Sequence, residues 1–259
     1  MIVHTAAILD LPPPVADARL RYGADPHQFG DLWLPAQAGL HPVAIVVHGG
    51  FWRAKYGLDH LGHLCRELAR QGIASWSLEY RRLGHAGGGW PGSCEDVRDG
   101  AAYLRTLAGR YPLDPDRAVA LGHSAGGQLA LWLAAQHCIP LSGVVSLAGV
   151  TDLRQAWRLG LGRGAVAEFL GGSPEEVPER YDRASPIELL PLGVPQRLLH
   201  GDLDDTVPLG MSRDYQAAAQ AKGDDAVLLA LAGAGHFELI DPRTPEWRTV
   251  LQTVQQLLV

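Results

Sequence analysis

The stretch HPVAIVVHGG, residues 41–50, admits few folds. Its centre is a continuous apolar, largely β-branched run with no polar alternation. Such a run suits a strand covered on both faces, as in a parallel sheet. The same kind of run returns as GIASWSLEY, RAVALG, LSGVVSLAG, PQRLLHGD and DAVLLAL. Segments of helical spacing lie between them. In GLDHLGHLCRELARQ (57–71), Leu61, Leu64, Cys65 and Leu68 share one face, and Gly72 stops the helix. Further helices are predicted from Ser93, from Ser124, over Pro208 to Lys222 and over the closing PEWRTVLQTVQQLL. Two alternating segments, ARLRYG and HQFGDLWLP, read as an antiparallel pair ahead of the first buried strand. Strands alternating with helices imply right-handed crossovers and a mostly parallel α/β sheet of about eight strands, flanked by helices. Residues 151 to about 190, rich in glycine and proline, interrupt the alternation. They read as a small lid inserted into a single domain spanning 1–259, lying over the sheet's C-terminal end and setting the substrate.

Composition excludes several classes. The chain has 259 residues, 47% hydrophobic and 19% charged, enough for a full core without disulfides or metals. The formal charge is −6 with acids and bases interleaved, so no basic face invites nucleic acid or a membrane surface. Cys65, Cys94 and Cys138 are an odd count without a C-x-x-C pair, which argues against a disulfide framework or a zinc site. The N-terminus lacks the basic and apolar regions of a signal peptide, and no stretch reaches a membrane span. A reduced, cytoplasmic, soluble protein is expected. Nothing in the sequence assigns an oligomeric state.

In RAVALGHSAGGQLALWL, Ser124 falls between a strand and a helix. That is the context of a G-x-S-x-G nucleophile elbow. A serine in a strained turn presents its hydroxyl outward, and its neighbours crowd, so Gly122 and Gly126 must lack a Cβ. The following helix aims free N–H groups at the site. A plain glycine turn would explain the composition less well. The dinucleotide and P-loop signatures are both absent.

A serine hydroxyl needs a base, and the base needs an orienting acid, in the chain order Ser, Asp/Glu, His for this fold class. LAGAGHFELIDP supplies His236 in a small-residue loop after the last strand, and RLLHGDLDDTVP supplies Asp202, Asp204 and Asp205. Asp204 is the first choice of acid and Asp205 the alternative, while Asp202 stiffens the loop. His123 is expected to point away from the hydroxyl, and His48 and His200 to orient loops. His60 and His63 are one helical turn apart without a carboxylate in ligand pattern, so no metal is expected. His4, His27, His41, His85 and His137 read as surface or loop residues. Acyl transfer also needs fixed N–H donors for the oxyanion, each worth about 3 kcal/mol of barrier. Ala125 is one. Gly50 and Phe51, in VVHGGFWR, are the others, with His48 holding that loop.

Together HGGFW, GHSAGG, HGDLDDTVP and GAGHFELI span residues 48–240 in order. In this the chain resembles the α/β-hydrolases of the HGG-type esterase group. HGGFW and DPHQFGDLWLP are similar to the kynurenine formamidase and feruloyl-esterase-like branch. The resemblance implies that the acid is Asp204, fifth in the HGDLDDTVP stretch. It also implies a small ester or (aryl)formamide substrate and no cofactor. Trp52, Trp90 and Trp157, with Phe51, are candidates for an aromatic pocket. Two rivals are carried. One is an exopeptidase similar to the prolyl-oligopeptidase branch, whose β-propeller has no room here. The other is a non-catalytic binding protein on the same fold, which would be expected to have lost a member of the triad.

Overall fold

The computed structural model describes residues 6–259. The chain opens with a 3-10 turn at Ala7–Asp10, then β1 (Ala18–Arg21), β2 (Phe29–Trp33) and β3 (His41–Val47). A second 3-10 turn, Leu58–Leu61, runs into α1 (Gly62–Arg70) and is followed by β4 (Ala74–Leu78). Next come α2 (Gly92–Ala102), α3 (Leu104–Ala108), β5 (Leu113–His123), α4 (Ala125–Ala135) and β6 (Gly143–Leu147). The interrupting segment contributes α5 (Leu153–Arg158), α6 (Ala165–Leu170) and α7 (Pro178–Ala184), with 3-10 turns at Leu161–Arg163 and Pro186–Leu189. The chain closes with β7 (Gln196–Gly201), α8 (Leu209–Ala221), β8 (Ala226–Leu231) and α9 (Trp247–Leu257).

Among the described residues the strands form one eight-stranded sheet in the order β1-β2-β4-β3-β5-β6-β7-β8. The predicted antiparallel pair is present: β1 pairs β2, and β2 pairs β4, both antiparallel. From β4 to β8 every pairing is parallel.

The apolar runs have their cause in two cores, one on each face. On one face Val43, Ile45 and Val47 of β3 and Ala118 and Ala120 of β5 pack with residues of α2, α3, α4 and α8. On the other, Ala44, Val46, Val119 and Leu121 pack with Leu64, Cys65 and Leu68 of α1 and Val250 and Val254 of α9. Successive side chains of a strand thus enter different cores, and neither parity is left for polar residues.

Backbone packs closely around the start of α4. A Cβ on Gly122 would stand 2.0 Å from the Gly126 carbonyl oxygen, and one on Gly126 would stand 2.1 Å from that of Val47. The crowding expected between Gly122 and Gly126 is therefore half of the story. Gly126 also lets α4 press against the end of β3, which carries the neighbouring loop.

Candidate active site

The C-terminal ends of β3, β5, β7 and β8 open into one cavity of about 220 Å³. Ser124, His123, Gly50, Phe51, Thr206 and His236 line it, with Leu9, Tyr56, His60 and Phe237. Ser124 sits between β5 and α4 with φ 57° and ψ −122°. This is a strained conformation for a residue with a Cβ. Its N–H donates to Leu147 O at 2.8 Å, which ties the turn to β6.

Of the three acids after β7, Asp204 is the one that reaches His236. His236 Nδ1 lies 2.7 Å from Asp204 Oδ2, so Nδ1–H donates and Nε2 is left for the cavity. Oδ1 of Asp204 accepts the N–H groups of Thr206 and Val207, each at 2.8 Å. His200 completes the clamp. Its Nε2 faces the Val207 carbonyl at 2.8 Å, an acceptor only, so Nε2 carries the proton. The same N–H lies 3.2 Å from Asp204 Oδ2. Burial works to raise the Asp204 carboxyl, but the hydrogen bonds from His200 and His236 outweigh it and hold it well below the carboxylate range. Asp205 bonds the Thr206 hydroxyl instead, and Asp202 takes the N–H of Gly233, stiffening the β7 loop against the β8 loop. No hydrogen bond joins Ser124 to His236 among those of the described residues. Such contacts are commonly long in a free site and tighten around substrate.

The loop after β3 turns beneath Ser124. Gly50, Phe51 and Trp52 have φ of 105°, 48° and 55°, and a Cβ on Gly49 would stand 2.8 Å from Ser124 Cβ. Among the described residues, the N–H groups of Gly50, Phe51 and Ala125 have no hydrogen-bond acceptor. His48 anchors the loop, with Nδ1 2.8 Å from Gly49 O and Nε2 2.9 Å from Glu79 Oε1. Burial raises the Glu79 carboxyl, but His48 and Arg82 outweigh it and leave it below its ordinary value.

The aromatic pocket differs from expectation. None of Trp52, Trp90 and Trp157 lines the cavity. Trp52 is fully buried, stacked on Phe169 at 4.5 Å, with its indole N–H donated to Gln128 Oε1. Trp90 packs edge-on against Trp132 beneath the Arg183 guanidinium. Trp157 borders a separate surface hollow with Arg154 and Pro174. The cavity's own aromatic walls are Phe51, Tyr56 and Phe237.

Residues 151–190 do not line the cavity either. They buttress the loop after β3. Phe51 packs on Gly162, and Arg53 reaches Gly162 O at 3.2 Å and Glu168 at 2.9 Å.

His48 and His200 hold their loops as expected, while His41 and His60 part from expectation. His123 lines the cavity, its ring 4.6 Å from that of His236 and its Nε2 2.9 Å from His236 O. His60 is a wall residue that sequence reasoning missed. Burial, and then neighbouring His48, lower its pKa to about 3. His63 turns away to the Pro12 carbonyl, 3.1 Å off. Among the described residues no group of three or more His, Cys, Asp or Glu could hold a metal. His41 is buried at the start of β3 rather than exposed, bonded to Gln37 O, and His27 stacks on His85 at 3.5 Å. His4 lies outside the described residues.

The BD-FAE family model matches residues 31–218, most of the chain and most of this site. The chain belongs to the BD-FAE family. Among its relatives is the isoprenylcysteine alpha-carbonyl methylesterase ICME of Arabidopsis thaliana, 27% identical over 251 residues. The match covers 84% of this BD-FAE chain and 56% of that relative, so the chain spans about half the length of the curated proteins it matches. A truncated carbohydrate esterase from gut microbiota superposes with a TM-score of 0.83 at 20% identity, covering 95% of this chain and 97% of that one. An esterase of Thermogutta terrifontis solved with propionate bound has a TM-score of 0.76 at 22% identity, covering 95% and 94%. The architecture of this BD-FAE chain is therefore the α/β-hydrolase fold. Among the described residues no helix is long and apolar enough to cross a membrane.

Proposed function

We propose that this BD-FAE chain is a serine carboxylesterase acting on small esters through an acyl-enzyme. The observation that carries this reading is the Asp204 Oδ2 to His236 Nδ1 hydrogen bond of 2.7 Å, at the rim of a cavity where Ser124 is held at φ 57°. In this reading Ser124 Oγ attacks the ester carbonyl and His236 Nε2 takes its proton. Asp204 fixes the ring and stabilises the imidazolium. The unpartnered N–H groups of Gly50, Phe51 and Ala125 receive the oxyanion. His236 then protonates the departing alcohol. Water, activated by the same ring, attacks the acyl-enzyme and releases the acid. The reaction so written needs no cofactor. A cavity of about 220 Å³ favours a small acyl or alcohol group, and the propionate found in the Thermogutta esterase is consistent with that size.

Covalent labelling by a fluorophosphonate, lost in Ser124→Ala, tests the reading; a folded protein that takes no label overturns it. An (aryl)formamide is the second substrate class. It is favoured by the aromatic walls Phe51, Tyr56 and Phe237. Rates on p-nitrophenyl acetate, a feruloyl ester and N-formylkynurenine separate the two.

A further inference from the structure

The cavity over Ser124 ends at Leu9, Tyr56 and His60, and a second hollow begins at the same three residues. That second hollow, of about 280 Å³, continues past Leu11, Pro13, Lys55, Gly57 and Asp59. Its near wall is therefore the far wall of the first.

The N-terminal part of this wall is firmly anchored. Ile8 is 1% exposed and belongs to the core that includes Trp33, Leu61 and Leu64. The Pro12 carbonyl accepts from His63 Nε2 at 3.1 Å, and the Val15 carbonyl accepts from the Arg66 guanidinium. Leu9 follows the buried Ile8, points the other way and is 38% exposed. Tyr56 meets the loop after β3, where a Cβ on Gly50 would stand 2.5 Å from Tyr56 Cβ. Leu9 and Tyr56 are thus half-exposed side chains on fixed backbone. Each can be shortened without opening the core beneath.

We propose that Leu9 and Tyr56 form a partition that limits the substrate chain to short linear groups on this side of Ser124, and that the second hollow is a latent extension of the pocket. The proposal rests on the esterase reading. Shortening the wall joins the apolar cavity over Ser124 to a hollow of mixed lining, where Leu11 and Pro13 stand beside Lys55 and Asp59, and a longer alkyl chain then gains burial against Leu11 and Pro13 that the intact wall denies it.

The test uses the full chain and two ester series. In one, p-nitrophenyl esters run from acetyl to decanoyl. In the other, acetates carry alcohols of increasing length. The Leu9→Ala, Tyr56→Ala, doubly substituted and Leu9→Trp proteins are compared with the parent. In the double variant, kcat/KM for the longest chain relative to the shortest is expected to rise at least about tenfold in one series. That series identifies which end of the ester faces the wall. Leu9→Trp is expected to shift the preference to still shorter chains, so the proposal stays testable if a shortened variant folds poorly. An active parent whose length profile is matched by every variant in both series overturns the partition alone. A parent that neither turns over esters nor takes a fluorophosphonate overturns the esterase reading, and the partition with it.

Discussion

The indole N–H of Trp52 donates to Oε1 of Gln128 at 3.0 Å, deep beneath the site. Trp52 belongs to the loop that offers Gly50 and Phe51, and Gln128 lies one turn into the helix that begins at Ser124. The two halves of the reaction centre are therefore joined by one buried bond. Gln128 also donates to the Ala184 carbonyl at 2.8 Å, so the interrupting segment shares the joint. In Gln128→Leu the buried Trp52 N–H loses its partner at a cost of about 1–3 kcal/mol. The loop also loses its reference to Ser124, and kcat is expected to fall about tenfold to a hundredfold with KM little changed. Steady-state kinetics and a denaturant melt check both.

Asp204→Asn is expected to lower kcat by about 10⁴, since an amide in place of the carboxylate favours the wrong tautomer of His236. Asp205→Asn, whose carboxylate bonds the Thr206 hydroxyl, should fall by less than about twofold. Side-by-side turnover of the two proteins is the measurement. The reverse order would reassign the acid.

Gly126→Ala is expected to destabilise the fold by about 4 kcal/mol or more, because the new Cβ would meet the Val47 carbonyl at 2.1 Å. Gly210→Ala is the control. It lies in α8 with open space around the new methyl, and a gain of about 0.5–1 kcal/mol is expected there. Urea unfolding of both variants reads the difference.

His60 sets an acid limit. Its folded pKa of about 3 is below the ordinary histidine value of 6.5, so between those values the unfolded chain binds a proton that the folded chain refuses. Stability therefore falls as pH drops from about 6.5 towards 3, by up to about 1.4 kcal/mol per unit from this group. His60→Asn removes that contribution and should flatten the slope across that window. Unfolding free energies between pH 4 and 7 test the sign.

The strands were legible because burial on both faces forbids polar alternation, and HPVAIVV has none. The elbow was legible because Gly122 is demanded by Gly126, a neighbour close in sequence, whereas the demand on Gly126 comes from the distant Val47 carbonyl. The choice among Asp202, Asp204 and Asp205 depends on which carboxylate the β7 loop turns towards His236, and composition does not encode that. Asp204 was the first choice from the residues, with Asp205 left as the alternative, and the resemblance favoured Asp204. The walls of the cavity were least legible. Trp52 looks like a pocket residue, but its partners, Phe169 and Gln128, lie in the core and come from distant parts of the chain. Leu9, Tyr56 and His60 reach the cavity from segments far from Ser124. The one available signal was the apolar pair Ile8-Leu9 just ahead of Pro12, Pro13 and Pro14.

The segment from 151 to 190 grips the loop after β3 at Gly162 and Phe169 and grips α4 through the Ala184 carbonyl, yet contributes nothing to the cavity wall. It works as a keystone. Its outer surface is free to drift, or to acquire a docking role, without altering the size of the hole it supports. A change at any of the three grip points would be felt as slower chemistry on every substrate alike.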